Sequence, residues 1–224
     1  MISNYREWSS QMKVVYRGGE GEIVEKKSRF ICTVKPITSE DEAIEFVAEM
    51  KKKYWDARHN CMAYVLGDKY ETARFSDDGE PQGTAGKPML DVLMAKDIHN
   101  VVVVVTRYFG GVLLGTGGLI RAYQGSLIEG LNNSVIIEKH KGVKYSVKSD
   151  YADMGKIQYI VNTEGYYLRS TEYGQDVQAI IVVEKDDEQA FVNKLTEATA
   201  ARAVLEKIDD IDFALSEQNE YIDI

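Results

Sequence analysis

Val101-Val102-Val103-Val104-Val105-Thr106-Arg107-Tyr108-Phe109-Gly110-Gly111-Val112-Leu113-Leu114-Gly115-Thr116-Gly117-Gly118-Leu119-Ile120-Arg121-Ala122-Tyr123 is the stretch on which the reading of this chain turns. Its opening run, 101–106, is β-branched throughout and lacks polar alternation, which predicts a central strand buried on both faces. Glycines follow. From Leu119 the spacing Leu119, Tyr123, Leu127, Leu131 predicts a helix.

Upstream, residues 22–27 and 30–35 read as short strands flanking Ser28-Arg29. Ser39-Glu40-Asp41-Glu42 is a capping box, with serine at the cap and glutamate three residues on. It opens a helix whose Ile44, Val47, Ala48 and Tyr54 keep near-helical spacing, and whose terminal Lys51-Lys52-Lys53 suits the helix dipole. Residues 61–66 and 70–75 suggest a hairpin around Gly67-Asp68, and 88–95 a helix with Pro88 in its first turn. A strand returns at 135–137. Beyond it the order is strand 143–148, helix 151–161, strands 165–173 and 177–184, helix 187–198 and strand 203–213. That βαββαβ order is the split βαβ, or ferredoxin-like, pattern. The class is α+β. Two domains are expected, 1–140 and 141–224, with the boundary near Lys141-Gly142.

The 224 residues, 44% hydrophobic and 28% charged, have the composition of a globular protein. No apolar run approaches a membrane span, and residues 1–8 lack the apolar block of a secretory signal, so no membrane partner is expected. Cys32 and Cys61 sit in apolar strand contexts and read as buried free thiols, with a cytoplasmic location as the default expectation. The net charge of −9 is uneven: residues 1–140 carry 18 Lys+Arg against 19 Asp+Glu, and residues 141–224 carry 9 against 17. The acidic last third is a poor surface for phosphates, so RNA contact is expected from the N-terminal part.

Eight of the 18 glycines lie between Gly79 and Gly118, beside charged side chains. Such permissive backbone marks close approach to something. A glycine loop holding Gly110, Gly111, Gly115, Gly117 and Gly118 and feeding a helix N-terminus offers amides and a positive dipole end to an anion. It matches neither a P-loop, since Thr116-Gly117 replaces Lys-Ser/Thr, nor a dinucleotide fingerprint. Arg107 and Arg121 flank it, and Arg121, placed in the first helical turn, opposes the dipole and calls for an anionic partner. The other segment, Arg74 to Pro88, holds Asp77-Asp78-Gly79-Glu80 and Lys87. Its three carboxylates repel unless a cation separates them. Two arrangements satisfy them: a magnesium site, or a network with Arg74, Lys87, Arg107 and Arg121. His59 joins Asp77, Asp78 and Glu80 as a candidate for acid–base work.

At these residues the chain resembles the IMPACT/YigZ family. The matching blocks are Ser28-Arg29-Phe30-Ile31, Ala57-Arg58-His59-Asn60-Cys61, the run from Phe75 to Gly86, and the run from Thr106 to Tyr123. The resemblance implies an N-terminal domain of the ribosomal protein S5 domain 2 type and a C-terminal ferredoxin-like domain similar to the last domain of translocation factor G. It also implies a setting in translation; eukaryotic relatives act there through a further domain, and that specific role is not carried over.

Two functions remain. The leading expectation is a non-enzymatic, translation-associated factor that binds RNA or a ribosomal partner through Arg58, Arg74, Lys87, Arg107 and Arg121, with no cofactor. The alternative is an enzyme acting on a small anionic or phosphorylated substrate, with Asp77, Asp78 or Glu80 and His59 supplying base or metal chemistry. Direct pairing of the carboxylates with Arg107 and Arg121 favours a scaffold; an open cleft between them favours a ligand.

Overall fold

The computed structural model describes residues 12–215 and 221–224, so the N-terminal octet read above lies outside the described residues. The described chain divides into two compact units, Met12–Glu138 and Lys139–Ile224.

The first unit holds β1 (Met12–Arg17), β2 (Glu20–Glu25), β3 (Ser28–Pro36), α1 (Glu40–Lys53), β4 (His59–Leu66), β5 (Thr72–Ser76), α2 (Gly86–Ala95), β6 (Ile98–His99), β7 (Val101–Tyr108) and α3 (Gly115–Asn132). Five strands form an antiparallel sheet in the order β2-β3-β7-β4-β5. The valine strand β7 is at its centre. Successive side chains point to opposite faces. Val101, Val103 and Val105 therefore enter one core with α2 and α3, while Val102 and Val104 enter another beneath α1. All five are at most 1% exposed. Helices on both faces explain why the sequence shows no polar alternation, and each buried valine contributes roughly 1.5–3 kcal/mol.

The capping box of α1 forms: Ser39 Oγ accepts from the Glu42 amide at 3.3 Å, and the Glu42 carboxylate accepts from the Thr38 amide at 2.7 Å. Its buried face is Ala43, Phe46 and Met50, whereas Ile44 is 58% exposed. Of the expected stripe, Val47 and Tyr54 pack partly against this core, while Ile44 and Ala48 face outward, because the buried line runs through Ala43, Phe46 and Met50. On the opposite face, α3 lies so close to the sheet that only glycine fits. A Cβ at Gly130 would stand 2.7 Å from Cys32 Sγ, and one at Gly21 would stand 2.5 Å from the Gly130 amide nitrogen. Phe30 and Tyr123 pack edge to face beside this contact, their centroids 5.1 Å apart.

β8 (Val135–Ser149) carries the chain into the second unit. There follow α4 (Tyr151–Glu164), β9 (Tyr167–Tyr173), β10 (Val177–Glu184), α5 (Glu188–Ala198), β11 (Val204–Leu215) and β12 (Tyr221–Asp223). The strands lie in the order β9-β10-β8-β11-β12, so the βαββαβ chain builds the ferredoxin-like arrangement that its sequence predicts. Asp150 caps α4 by accepting from the Asp153 amide at 2.7 Å, and Gly165, at φ 76°, ends it.

The expected strands 135–137 and 143–148 are one strand. Gly142, beside the expected domain boundary, is paired within β8 opposite Glu184 of β10. A Cβ there would lie 2.7 Å from Phe213 Cε1 and 2.9 Å from the Val183 carbonyl oxygen. Close approach of a buried ring, not chain flexibility, requires that glycine.

Two glycine substitutions should therefore act with opposite sign. Gly142→Ala overpacks β8 against Phe213 and should cost about 1–3 kcal/mol in urea unfolding. Gly155→Ala, in α4 with nothing within 4 Å of the new methyl, should stabilise by roughly 0.5–1 kcal/mol. Equal effects would contradict this packing.

Candidate functional site

Both singled-out segments converge on one end of the N-terminal sheet. Register sets Arg29 of β3 opposite Tyr108 of β7, and His59 of β4 opposite Arg107. The β2–β3 turn, Lys26-Lys27, has both residues left-handed at φ 45° and 67°, as a tight two-residue hairpin requires. Gly110 sits against this turn. A Cβ on it would stand 2.1 Å from the Lys27 carbonyl carbon, and its amide donates to Ser28 Oγ at 3.0 Å. The close backbone approach signalled by the sequence is thus, at Gly110, to the protein's own hairpin. Gly111 and Gly115 have φ of 86° and 71° with open space around them.

Helix α3 begins at Gly115, four residues before the start read from the apolar spacing, so Gly115, Gly117 and Gly118 lie in its first turn rather than in a loop. Arg121 accordingly sits in the second turn, not the first. It is exposed, and forms no ion pair among the described residues. No side chain caps this helix.

The three carboxylates are turned to three different partners. Asp77 Oδ1 accepts from the Ala85 and Gly86 amides at 3.0 and 2.8 Å, and its Oδ2 accepts from Gly83 at 2.8 Å. Ala85, at the N-cap of α2, offers no capping side chain, so Asp77 performs that task from eight residues upstream. Asp78 accepts from the Asn60 amide at 2.7 Å and pairs with Lys51 at 2.6 Å. The Asp78 carbonyl accepts from His59 Nδ1 at 2.9 Å, which fixes the proton on that nitrogen. Glu80 is buried, 2.6 Å from Arg107 Nη1 and 2.8 Å from the donating Tyr123 hydroxyl. Among the described residues, no group of three His, Cys, Asp or Glu converges as metal ligands do.

The Arg107 guanidinium carbon lies over two rings, 5.4 Å from the Phe30 centroid and 5.6 Å from that of Phe109. Its Nε is buried without a hydrogen-bond partner. Below it, Cys61 Sγ donates to the Asp77 carbonyl at 2.9 Å and lies 3.3 Å from the Tyr123 hydroxyl. Burial pushes the Cys61 thiol well above its ordinary value, and the Tyr123 phenol likewise. A neutral, enclosed thiol is no nucleophile.

The remaining candidates lie on the surface. Arg74 is exposed, its Nε 4.0 Å from Glu40 and its Nη1 donating to the neighbouring Ala73 carbonyl. Lys87 pairs with Asp91 one turn along α2. Arg58, like Arg121, is exposed without an ion partner among the described residues, as are Lys26 and Lys27 of the hairpin turn. Sequence reasoning overlooked these two lysines and Phe109, which is 52% exposed. An aromatic directly before a glycine pair in a charged segment was the available signal for Phe109. The lysines were missed because the sequence places the turn at Ser28-Arg29 and both lysines inside a strand, whereas the turn is Lys26-Lys27 and Ser28-Arg29 open β3.

Comparison with known proteins gives these residues a context. Residues 26–131 match the model of the Impact N-terminal domain, and residues 147–202 that of a domain of unknown function. The chain is 42% identical to the IMPACT family member YvyE of Bacillus subtilis over 84% of its length and 87% of that protein's. The chain belongs to the IMPACT family. YigZ of Escherichia coli, another member, is 38% identical over 70% of this chain and 76% of its own. Protein IMPACT of Rattus norvegicus is 35% identical over 42% of this chain and 30% of its own length. A solved structure titled only as that of a hypothetical protein aligns at a TM-score of 0.57 and 30% identity, covering 90% of this chain and 99% of that one.

Glu80→Ala should cost about 3–5 kcal/mol, because it strands the buried Arg107 charge. The pair Glu80→Leu with Arg107→Met should cost less than Glu80→Ala alone; a larger cost in denaturant titration would show the ion pair to be a net stabiliser. Both cysteines should resist iodoacetamide in the native state at pH 8 and react once the chain is unfolded. Their folded pKa values are raised by burial, so the stability they lend is present below the ordinary value of 9.0 and is lost as pH rises past it.

Proposed function

We propose that this IMPACT family member is a translation-associated regulatory factor that binds RNA through this end of its N-terminal sheet and performs no catalysis. The observation that carries the reading is a division of charge. Asp77, Asp78 and Glu80 are each engaged by the protein's own amides and cations, while Arg58, Arg121, Lys26 and Lys27 face outward without ion partners among the described residues. Outward cations near an uncapped helix N-terminus form an electrostatic footprint for phosphates. Translation enters through the family resemblance. The acidic second unit contributes no such surface, and contacts there would need a protein partner.

One observation favours an enzyme of small anionic substrates: the Asp78 carbonyl orients His59, leaving Nε2 as a base. The carboxylates that would assist it are already occupied, which makes this the lesser reading. Thermal-shift screening with nucleotides and sugar phosphates would support it if a ligand stabilised the wild type but not a His59→Gln variant.

For the RNA reading, filter binding to ribosomal RNA over a salt series is the test. Arg58→Gln with Arg121→Gln should weaken binding and flatten the log–log salt slope by about 1.5, since each phosphate contact contributes roughly 0.7–0.9. Arg107 is unsuitable for this test because it is buried. No detectable binding at low salt would sink the proposal.

A further inference from the structure

Phe109 is an exposed ring held from behind. The Arg107 guanidinium carbon lies over the Phe109 ring, 5.6 Å from its centroid, and over the Phe30 ring at 5.4 Å. Glu80 fixes that guanidinium at 2.6 Å and is itself held by the Tyr123 hydroxyl at 2.8 Å. Phe30 is fully buried and packs edge to face on Tyr123. Gly110, the next residue, is pinned by its bond to Ser28 and its contact with the hairpin turn. The ring is thus set beside a guanidinium that is itself held in place, and its backbone continues into an anchored glycine, yet about half of Phe109 faces solvent. A large apolar ring presented in this way, with one face on a cation, is more than a core residue at the margin.

We propose that Phe109 is a stacking platform for an unpaired base, so that the RNA taken at this site is single-stranded. This rests on the RNA-binding reading above and specifies its ligand. Base–aromatic stacking requires a free ring face, which a duplex cannot engage because its bases are stacked on one another. Flanking phosphates would meet the outward cations Arg58, Arg121, Lys26 and Lys27. Rigid placement matters because a ring already ordered by Arg107 loses little conformational freedom when a base arrives. The carboxylate of Glu80 is screened behind the guanidinium rather than facing the strand, so charge complementarity at the surface favours a polyanion over an acidic-residue-poor protein segment.

The test is fluorescence anisotropy with a labelled single-stranded oligoribonucleotide of mixed sequence and the same strand annealed to its complement. The single strand should bind at least about fivefold more tightly, the lower range of one stacked base. Phe109→Ala and Phe109→Leu should each weaken single-strand binding by roughly 5- to 150-fold with no change of salt slope, while Phe109→Trp retains affinity. Leucine keeps apolar contact with Arg107 and lacks the ring, so its loss separates stacking from simple packing, and unchanged thermal midpoints confirm the fold. Equal binding of duplex and single strand, or full affinity in Phe109→Leu, overturns the stacking proposal while leaving RNA binding in place. Failure of the wild type to bind either RNA overturns the RNA reading itself, and this inference with it.

Discussion

The buried pair between Glu80 and Arg107 is the contact on which the rest of the N-terminal site depends. It joins three elements that are remote in sequence: the loop after β5, the end of the central strand β7, and, through Tyr123, the helix α3. A charge pair taken from water stabilises little in net terms, since desolvation offsets most of the attraction. What it supplies is position. With Arg107 fixed, its guanidinium is held over the Phe30 and Phe109 rings, and the chain beyond Phe109 leaves the sheet where Gly110 presses against the hairpin turn.

The same logic explains why the acidic turn is not a reactive cluster. Three carboxylates within four residues would repel one another in free solution. Folding separates them by aiming each at its own positive partner: the N-terminal amides of α2 for Asp77, Lys51 of α1 for Asp78, and Arg107 for Glu80. The left-handed backbone of Asp78 and Gly79, at φ 42° and 85°, makes the divergence geometrically available. Lys51 is thereby more than a dipole complement to its own helix.

Much of this was legible in the sequence. The valine run specified a strand covered on both faces, the capping box specified the start of α1, and the spacing in the last third specified βαββαβ. The family blocks fell on the residues that build the site. What was not legible has one common cause: glycine reports permissiveness without saying for what. Gly142 read as the edge of a domain and is a close packing position inside β8; Gly115, Gly117 and Gly118 read as a loop and begin a helix; Gly110 signalled a close approach, and the backbone it approaches is that of Lys27. Likewise the direction in which Asp77, Asp78 and Glu80 turn depends on amides and cations up to 27 residues away, which no local pattern encodes. Phe109 escaped notice because its setting, beside the buried Arg107, is made by residues remote in sequence.

The proposed role requires that this surface bind a strand while its acidic residues serve the scaffold. Hydrogen–deuterium exchange with and without single-stranded RNA tests that most directly. Protection confined to residues 26–29, 57–60 and 107–121, with the Asp77-capped start of α2 already slow to exchange in the free protein, is the predicted result. Protection centred on the second unit, or fast exchange at Gly83, Ala85 and Gly86 that slows only on adding a small ligand, would contradict it.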